Sequence, residues 1–129
     1  MRYMLDTNIC IYLIKKHPPE IAAKFNGYRK GEILISSITW AELCCGITKD
    51  GFGVAERLLS LLEVAPFGVE QGRIYGELTE LWPNRKRTLN RMIAAHALSL
   101  AATLVTNNTA DFETYAPQGL AIENWVGRA

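Results

Sequence analysis

The side chains in this 129-residue chain that could do chemistry together are oxygen donors spread over four stretches. Met4-Leu5-Asp6-Thr7-Asn8 runs from an apolar pair into an acid, a hydroxyl and an amide. Glu42 follows the apolar run Ile33-Leu34-Ile35. Asn90 stands at the head of an alanine-rich stretch. Asn107 and Asn108 follow Thr103-Leu104-Val105-Thr106, with Asp111 close behind. Taken singly, each is most often a helix cap, because Asp, Asn and Thr accept hydrogen bonds from the free N–H groups of a helix N-terminus. Glu42 in a first turn also favours the helix dipole. Taken together they form a set of carboxylates and amides without Cys or His. Crowded carboxylates raise each other's pKa, and a divalent cation relieves that cost. Hard oxygen donors select Mg2+ or Mn2+. A cation so held lowers the pKa of a bound water and neutralises charge developing on a phosphodiester.

Convergence of these groups depends on the elements between them. Arg2–Leu5 reads as a buried strand that stops at Asp6, and Ile9-Cys10-Ile11-Tyr12-Leu13-Ile14 as a helix that ends before His17-Pro18-Pro19. Pro19–Phe25 restarts a short amphipathic helix. Glu32–Ser36 is a second buried strand. Ser37 or Thr39 can cap the helix that follows, with Glu42 three residues after Thr39 as a capping box requires, and Trp40, Leu43 and Ile47 share its apolar face. Asp50-Gly51-Phe52-Gly53 reads as a turn, Val54–Leu62 as a helix, and Val64–Phe67 as an edge strand, since Pro66 cannot donate to an inner ladder. Val69–Trp82 is a longer helix ended by Pro83-Asn84. Leu89–Leu100 is a strong helix, Thr103–Thr106 a central strand, Asn107–Glu113 a turn into a short helix, and Leu120–Ile122 a last strand with Trp125 as an apolar anchor.

Strands alternating with helices predict a three-layer α/β/α sandwich around a mostly parallel sheet, in one domain spanning 1–129. Parallel strands present their carboxyl ends along one edge, where ligands bind in such sheets. Asp6, Glu42, Asn108 and Asp111 are therefore expected on that edge, with Asn90 at the start of the helix that feeds it.

Bulk composition narrows the function classes. The chain is 49% hydrophobic and 21% charged with a net charge of +1, so no global charge drives it to nucleic acid or membrane. A local patch can still do so: Arg85-Lys86-Arg87, with Arg91 one turn on, is a candidate phosphate contact. No secretory leader is expected and no apolar run approaches the ~20 residues of a membrane span. Cys10, Cys44 and Cys45 are expected as small buried hydrophobes in a reducing, cytoplasmic setting. His96 reads as a packed core histidine, and Trp40 and Trp82 as packing residues rather than base-stacking ones.

Four motifs carry a resemblance: Met4-Leu5-Asp6-Thr7-Asn8; Ile35-Ser36-Ser37-Ile38-Thr39-Trp40-Ala41-Glu42-Leu43 with Gly46; Met92-Ile93-Ala94-Ala95-His96-Ala97; and Leu104-Val105-Thr106-Asn107-Asn108-Thr109-Ala110-Asp111-Phe112. Together they resemble PIN-domain proteins, specifically VapC-type toxins of bacterial toxin–antitoxin pairs, nearly end to end. The resemblance implies a Mg2+- or Mn2+-dependent endoribonuclease and a toxin homodimer. It also implies a cognate antitoxin whose C-terminal segment lies across the active-site groove. Asp6 and Glu42 then match the first two acids and Thr7 lies beside the first. Asn108 matches a variable fourth position, with Asp111 the nearby acid. The third acid falls at Asn90, which keeps an oxygen but loses the charge and cannot act as a carboxylate base. The chain is thus expected to be an attenuated or inactivated form of such an enzyme, or else a non-catalytic RNA- or protein-binding module on the same fold. A phosphotransfer domain with Asp6 as nucleophile ranks below both, because Asn8 stands where a second Asp would be wanted.

Overall fold

The computed structural model describes residues 1–46, 52–83 and 88–127. Five short strands form one parallel sheet in the order β3-β2-β1-β4-β5: β1 (Tyr3–Leu5), β2 (Ile33–Ser36), β3 (Glu63–Ala65), β4 (Thr103–Val105) and β5 (Ile122–Glu123). The helices are α1 (Thr7–Lys15), α2 (Pro19–Asn26), α3 (Ser37–Gly46), α4 (Phe52–Leu61), α5 (Val69–Leu81), α6 (Thr88–Ser99) and α7 (Thr109–Glu113), with a 3-10 turn at Ala116–Gln118.

The layers follow from the period-two alternation of strand side chains. Met4, Leu34 and Leu104 point to one face and pack with Leu78, Ile93, Ala94, Ala97, Phe112 and Tyr115 of the α5–α6–α7 side. Leu5, Ile33, Ile35 and Val105 point to the other and pack with Ile9, Cys10, Ile21, Leu43 and Leu58 of the α1–α4 side. Both faces of every inner strand are therefore buried, which is why these strands read as unbroken apolar runs. Alanines 94, 95 and 97 are fully buried and let α6 lie close to the sheet. Among the described residues no helix is long and apolar enough to cross a membrane.

Three expectations need correction. Cys10 is buried, but Cys44 and Cys45 are exposed, because they lie on the outward side of α3 next to buried Leu43. Thr39 and Glu42 do not form a capping box. Ser36 takes the cap, its Oγ accepting from the Ile38 N–H at 3.0 Å, while Glu42 turns to α1. Phe52 and Gly53 open α4 rather than closing a turn, while Ile47, Asp50 and Gly51 lie outside the described residues. Smaller shifts move β3 and β5 by one or two residues from their expected ends.

Candidate active site

Strand order places a crevice before any side chain does. The chain walks outward from β1 to β2 and β3, then returns to the other side of β1 with β4 and β5. The reversal lies between β1 and β4, and ligands in open parallel sheets bind at such a switch point, outside the carboxyl ends of the strands. The register pairs Leu5 with Val105, so the next residues, Asp6 and Thr106, stand side by side where the two strands end. The Asp6 N–H donates to the Val105 carbonyl at 3.0 Å and extends the ladder by one step.

Asp6 then does two jobs. It is the N-cap of α1, its Oδ1 accepting from the Ile9 N–H at 2.9 Å, and its Oδ2 accepts a short hydrogen bond from the Thr106 hydroxyl. It is only 5% exposed. Its carboxyl is held above the ordinary carboxylate range, chiefly because burial penalises the charged form. The Thr106 and Ile9 hydrogen bonds pull it back, and the nearby Glu42 charge pushes it further up. Thr7, the first residue of α1, donates from Oγ1 to Glu42 Oε1 at 2.5 Å and so binds the second acid to the first.

Asp6, Thr7, Asn8, Glu42, Asn90 and Asn108 line one pocket of about 130 Å³, floored by Ile93 and Phe112. Asp111 stands behind the two amides. Asn90 Nδ2 donates to Asp111 Oδ2 at 3.2 Å and Asn108 Nδ2 donates to the same oxygen at 2.6 Å. The Asn108 N–H donates to Thr106 Oγ1 at 2.9 Å, which places Asn108 over the strand end. Asn107 faces away and accepts from Asn124 Nδ2 at 3.2 Å.

Residues drawn from four separate stretches thus meet in one place: Asp6, Glu42, Asn90 and Asn108 at the pocket, Thr7 between the acids, and Asp111 beside them. The expected substrate contacts fare differently. Arg85, Lys86 and Arg87 lie outside the described residues. Arg91 does not face the pocket as expected. It is 3% exposed, and its guanidinium donates to the Tyr115 hydroxyl, Thr79 Oγ1 and the Trp82 carbonyl at 2.7–3.1 Å. Consecutive helical residues point about 100° apart, so with Asn90 at the pocket Arg91 turns into the protein.

Thr106 is the residue that sequence reasoning passed over. It reads as the β-branched end of a strand, and only the β1–β4 register makes it the partner of Asp6. His96 is a core residue as expected: fully buried, with Nδ1 2.8 Å from Ser36 Oγ and its ring edge-on to Phe67. Trp82 packs edge-on against Tyr115.

The donor set fits a hard cation. Two carboxylates and the side chains of Asn8, Asn90 and Asn108 line a small pocket, neither Cys nor His lines it, and each carboxylate oxygen retains a lone pair beyond its hydrogen bond. The set is short of charge: among the described residues no group of three or more His, Cys, Asp or Glu is arranged to hold a metal.

Comparison with known proteins gives the same outline. The PIN domain profile matches residues 3–116. Ribonuclease VapC2 of Haemophilus influenzae is 37% identical over 98% of this chain and 99% of its own length. The tRNA(fMet)-specific endonuclease VapC of Shigella flexneri is 34% identical over 97% of this chain and 98% of its own. Among solved structures, VapBC2 from Rickettsia felis bound to a DNA fragment from its promoter superimposes with a TM-score of 0.84 at 36% identity, covering 97% of this chain and 99% of the other. DNA-bound VapBC from Salmonella typhimurium gives 0.85 at 34% identity over 97% and 98%.

Proposed function

This chain belongs to the PIN-domain family of VapC-type ribonuclease toxins, and we propose that it cuts RNA phosphodiester bonds at the Asp6–Glu42 pocket with Mg2+ or Mn2+ as the cation. One observation carries the assignment: Asp6, Thr7, Glu42, Asn90 and Asn108, far apart in sequence, line a single pocket at the switch point of the sheet. Asp6 and Glu42 would hold the cation, with the Asn90 amide oxygen as a neutral third donor. The bound cation supplies an activated water and charge neutralisation at the scissile phosphate.

The chain's own residues have separable tasks. Thr106 and the Ile9 N–H fix both oxygens of Asp6, and Thr7 fixes one oxygen of Glu42, so the two acids are oriented before any ligand arrives. Asn108 and Asp111 border the opening where the RNA backbone passes. Thr7 and the Arg85-Lys86-Arg87 run are the phosphate contacts in this reading, and Arg91 is not. Asn90 attenuates the centre: it contributes a dipole where a carboxylate would contribute a charge.

A non-catalytic RNA-binding module is the second reading, and the Asn90–Asp111 hydrogen bond favours it, because that bond ties up the remaining carboxylate without a cation. Divalent-metal-dependent cleavage of a structured RNA panel separates the two. The chain, its Asn90→Asp form and an Asp6→Ala, Asn90→Asp control are compared side by side. Cleavage by the Asn90→Asp form that vanishes with Asp6→Ala supports the enzyme. RNA binding by all three without cleavage decides for the module.

The partner in this reading is a cognate antitoxin. An apolar groove of about 460 Å³ lies between α1, α2 and α4, lined by Leu13, Ile14, Phe25, Leu58 and Leu61 with Lys16 and Arg57 at its rim. Such a groove takes the apolar face of an amphipathic helix, and the rim cations favour one with acidic flanks. Exposed Val69, Leu81 and Leu89 on α5 and α6 support a toxin homodimer. The whole activity is assigned to the one domain and to the cytoplasm, where its RNA lies.

A further inference from the structure

Arg91 is a buried cation whose hydrogen-bond partners are all neutral, and among the described residues no carboxylate lies within ion-pair distance of it. Burying an unpaired charge is costly, so the arrangement calls for a compensating role. Its three partners come from different places. Thr79 and the Trp82 carbonyl belong to the end of α5, and Tyr115 follows α7. A planar guanidinium with five donors can reach all of them at once, which a lysine cannot.

The two neighbours on α6 act on the same segment. Asn90 donates to Asp111 and Arg91 donates to Tyr115, four residues further on and 1% exposed. Tyr115 is itself wedged edge-on against Trp82, with ring centroids 5.2 Å apart. A rotation of α6 about its axis that moved Asn90 off the pocket would pull Arg91 out of this socket. We propose that Arg91 is a positioning residue for the active site, fixing the azimuth of α6 and the seat of α7 so that Asn90 and Asp111 meet at the pocket edge. This rests on the assignment of Asn90 and Asp111 to the site, but its geometric content can be read without catalysis.

The test uses the full chain and three variants, Tyr115→Phe, Thr79→Val and Arg91→Lys, with Arg73→Ala on the exposed face of α5 as control. Tyr115→Phe removes one oxygen from a packed ring, so it keeps the fold if Arg91→Lys does not. The first readout is the side-chain amide NMR signal of Asn90, assigned by its loss in Asn90→Asp. Tyr115→Phe and Arg91→Lys are expected to shift this signal and to narrow the separation of its two protons, while Arg73→Ala leaves it unchanged. The second readout is Mn2+ affinity by calorimetry in the Asn90→Asp background, where loss of an outer partner lowers affinity about 10- to 100-fold. The third is the salt dependence of RNA binding by an added Arg91→Gln form, which removes the charge that Arg91→Lys keeps: loss of a positioning residue leaves the slope alone, and loss of a phosphate contact flattens it by about one unit. An unmoved Asn90 signal in folded variants, or a flattened salt slope for Arg91→Gln, overturns the proposal. A moved signal in a protein that never cuts RNA supports the clamp while counting against the nuclease reading.

Discussion

At position 90 an amide and a carboxylate differ by a charge and by a hydrogen-bond donor, and the structure shows where that donor goes. Asn90 Nδ2 and Asn108 Nδ2 both point at one oxygen of Asp111. An aspartate at 90 has no donor to offer and sets a second anion against Asp111. Asn90→Asp is therefore expected to destabilise the metal-free protein by about 1–3 kcal/mol, the cost of losing a hydrogen bond to a charged group. Mn2+ or Mg2+ should return the loss. Thermal melts with and without the cation check this, and an Asp111→Asn partner change should erase the penalty if the two acids are its source. Asp6 gives a second prediction. Its folded-state pKa is raised, so the folded chain holds the proton more tightly than the unfolded one, and stability falls as pH rises from the ordinary carboxylate range through the raised value. Asp6→Asn keeps an oxygen for the Ile9 N–H and removes the charge. It should raise the melting temperature of the metal-free protein at neutral pH, lose that advantage in acid, and abolish cation binding. An Asp6→Asn chain no more stable than its parent at pH 7 would mean that burial does not strain this carboxyl.

Helix α6 carries the site on one end and a buried tie on its middle. His96 Nδ1 meets Ser36 Oγ, and Ser36 also caps α3, the helix that presents Glu42. This contact joins the element bearing Asn90 to the one bearing Glu42. Burial pushes the His96 imidazole down to about 4 from 6.5, so the neutral ring is the folded form. The unfolded chain takes up the proton first, and stability is lost as pH falls from 6.5 toward 4, by on the order of 3 kcal/mol at the lower end. His96→Asn should flatten the acid limb of a stability-versus-pH curve relative to the parent, and an unchanged limb would assign that loss to other groups. At this scale much was legible in the sequence. The unbroken apolar runs of β1, β2 and β4, the proline-marked edge strand and the alanine face of α6 were written in residue types. The site's acids were legible because caps and strand ends share the same residues. What escaped was pairwise: Thr106 became a partner of Asp6 only through a register between strands about a hundred positions apart, and Glu42 chose Thr7 over Thr39 across helices. Arg91 was misread because adjacency in sequence is not adjacency in space on a helix.

Across the whole molecule the pocket and the apolar groove are linked by a single rigid element. Helix α1 starts at the pocket with Thr7 and reaches the groove with Leu13 and Ile14, ending beside Lys16. At 1.5 Å per residue these points are about 9–14 Å apart. An antitoxin helix seated in the groove is then within a few residues of the active centre, close enough for its following segment to cover the pocket, and a net charge of +1 does little to steer RNA against it. The groove and the centre should therefore be separable by mutation. Leu61 is 53% exposed and Arg57 stands at the rim, so Leu61→Glu and Arg57→Glu leave the core intact. Each is expected to weaken antitoxin binding at least tenfold, the scale of an interface anchor worth about 1.4 kcal/mol or more. RNA cleavage by the Asn90→Asp form without antitoxin should not change. The double variant should cut RNA at antitoxin concentrations that silence its parent if inhibition depends on the groove and catalysis does not. Antitoxin affinity untouched by both substitutions would move the docking surface elsewhere. A parallel loss of cleavage would mean instead that α1 transmits changes in the groove to Thr7 and Glu42, so that the two sites act as one.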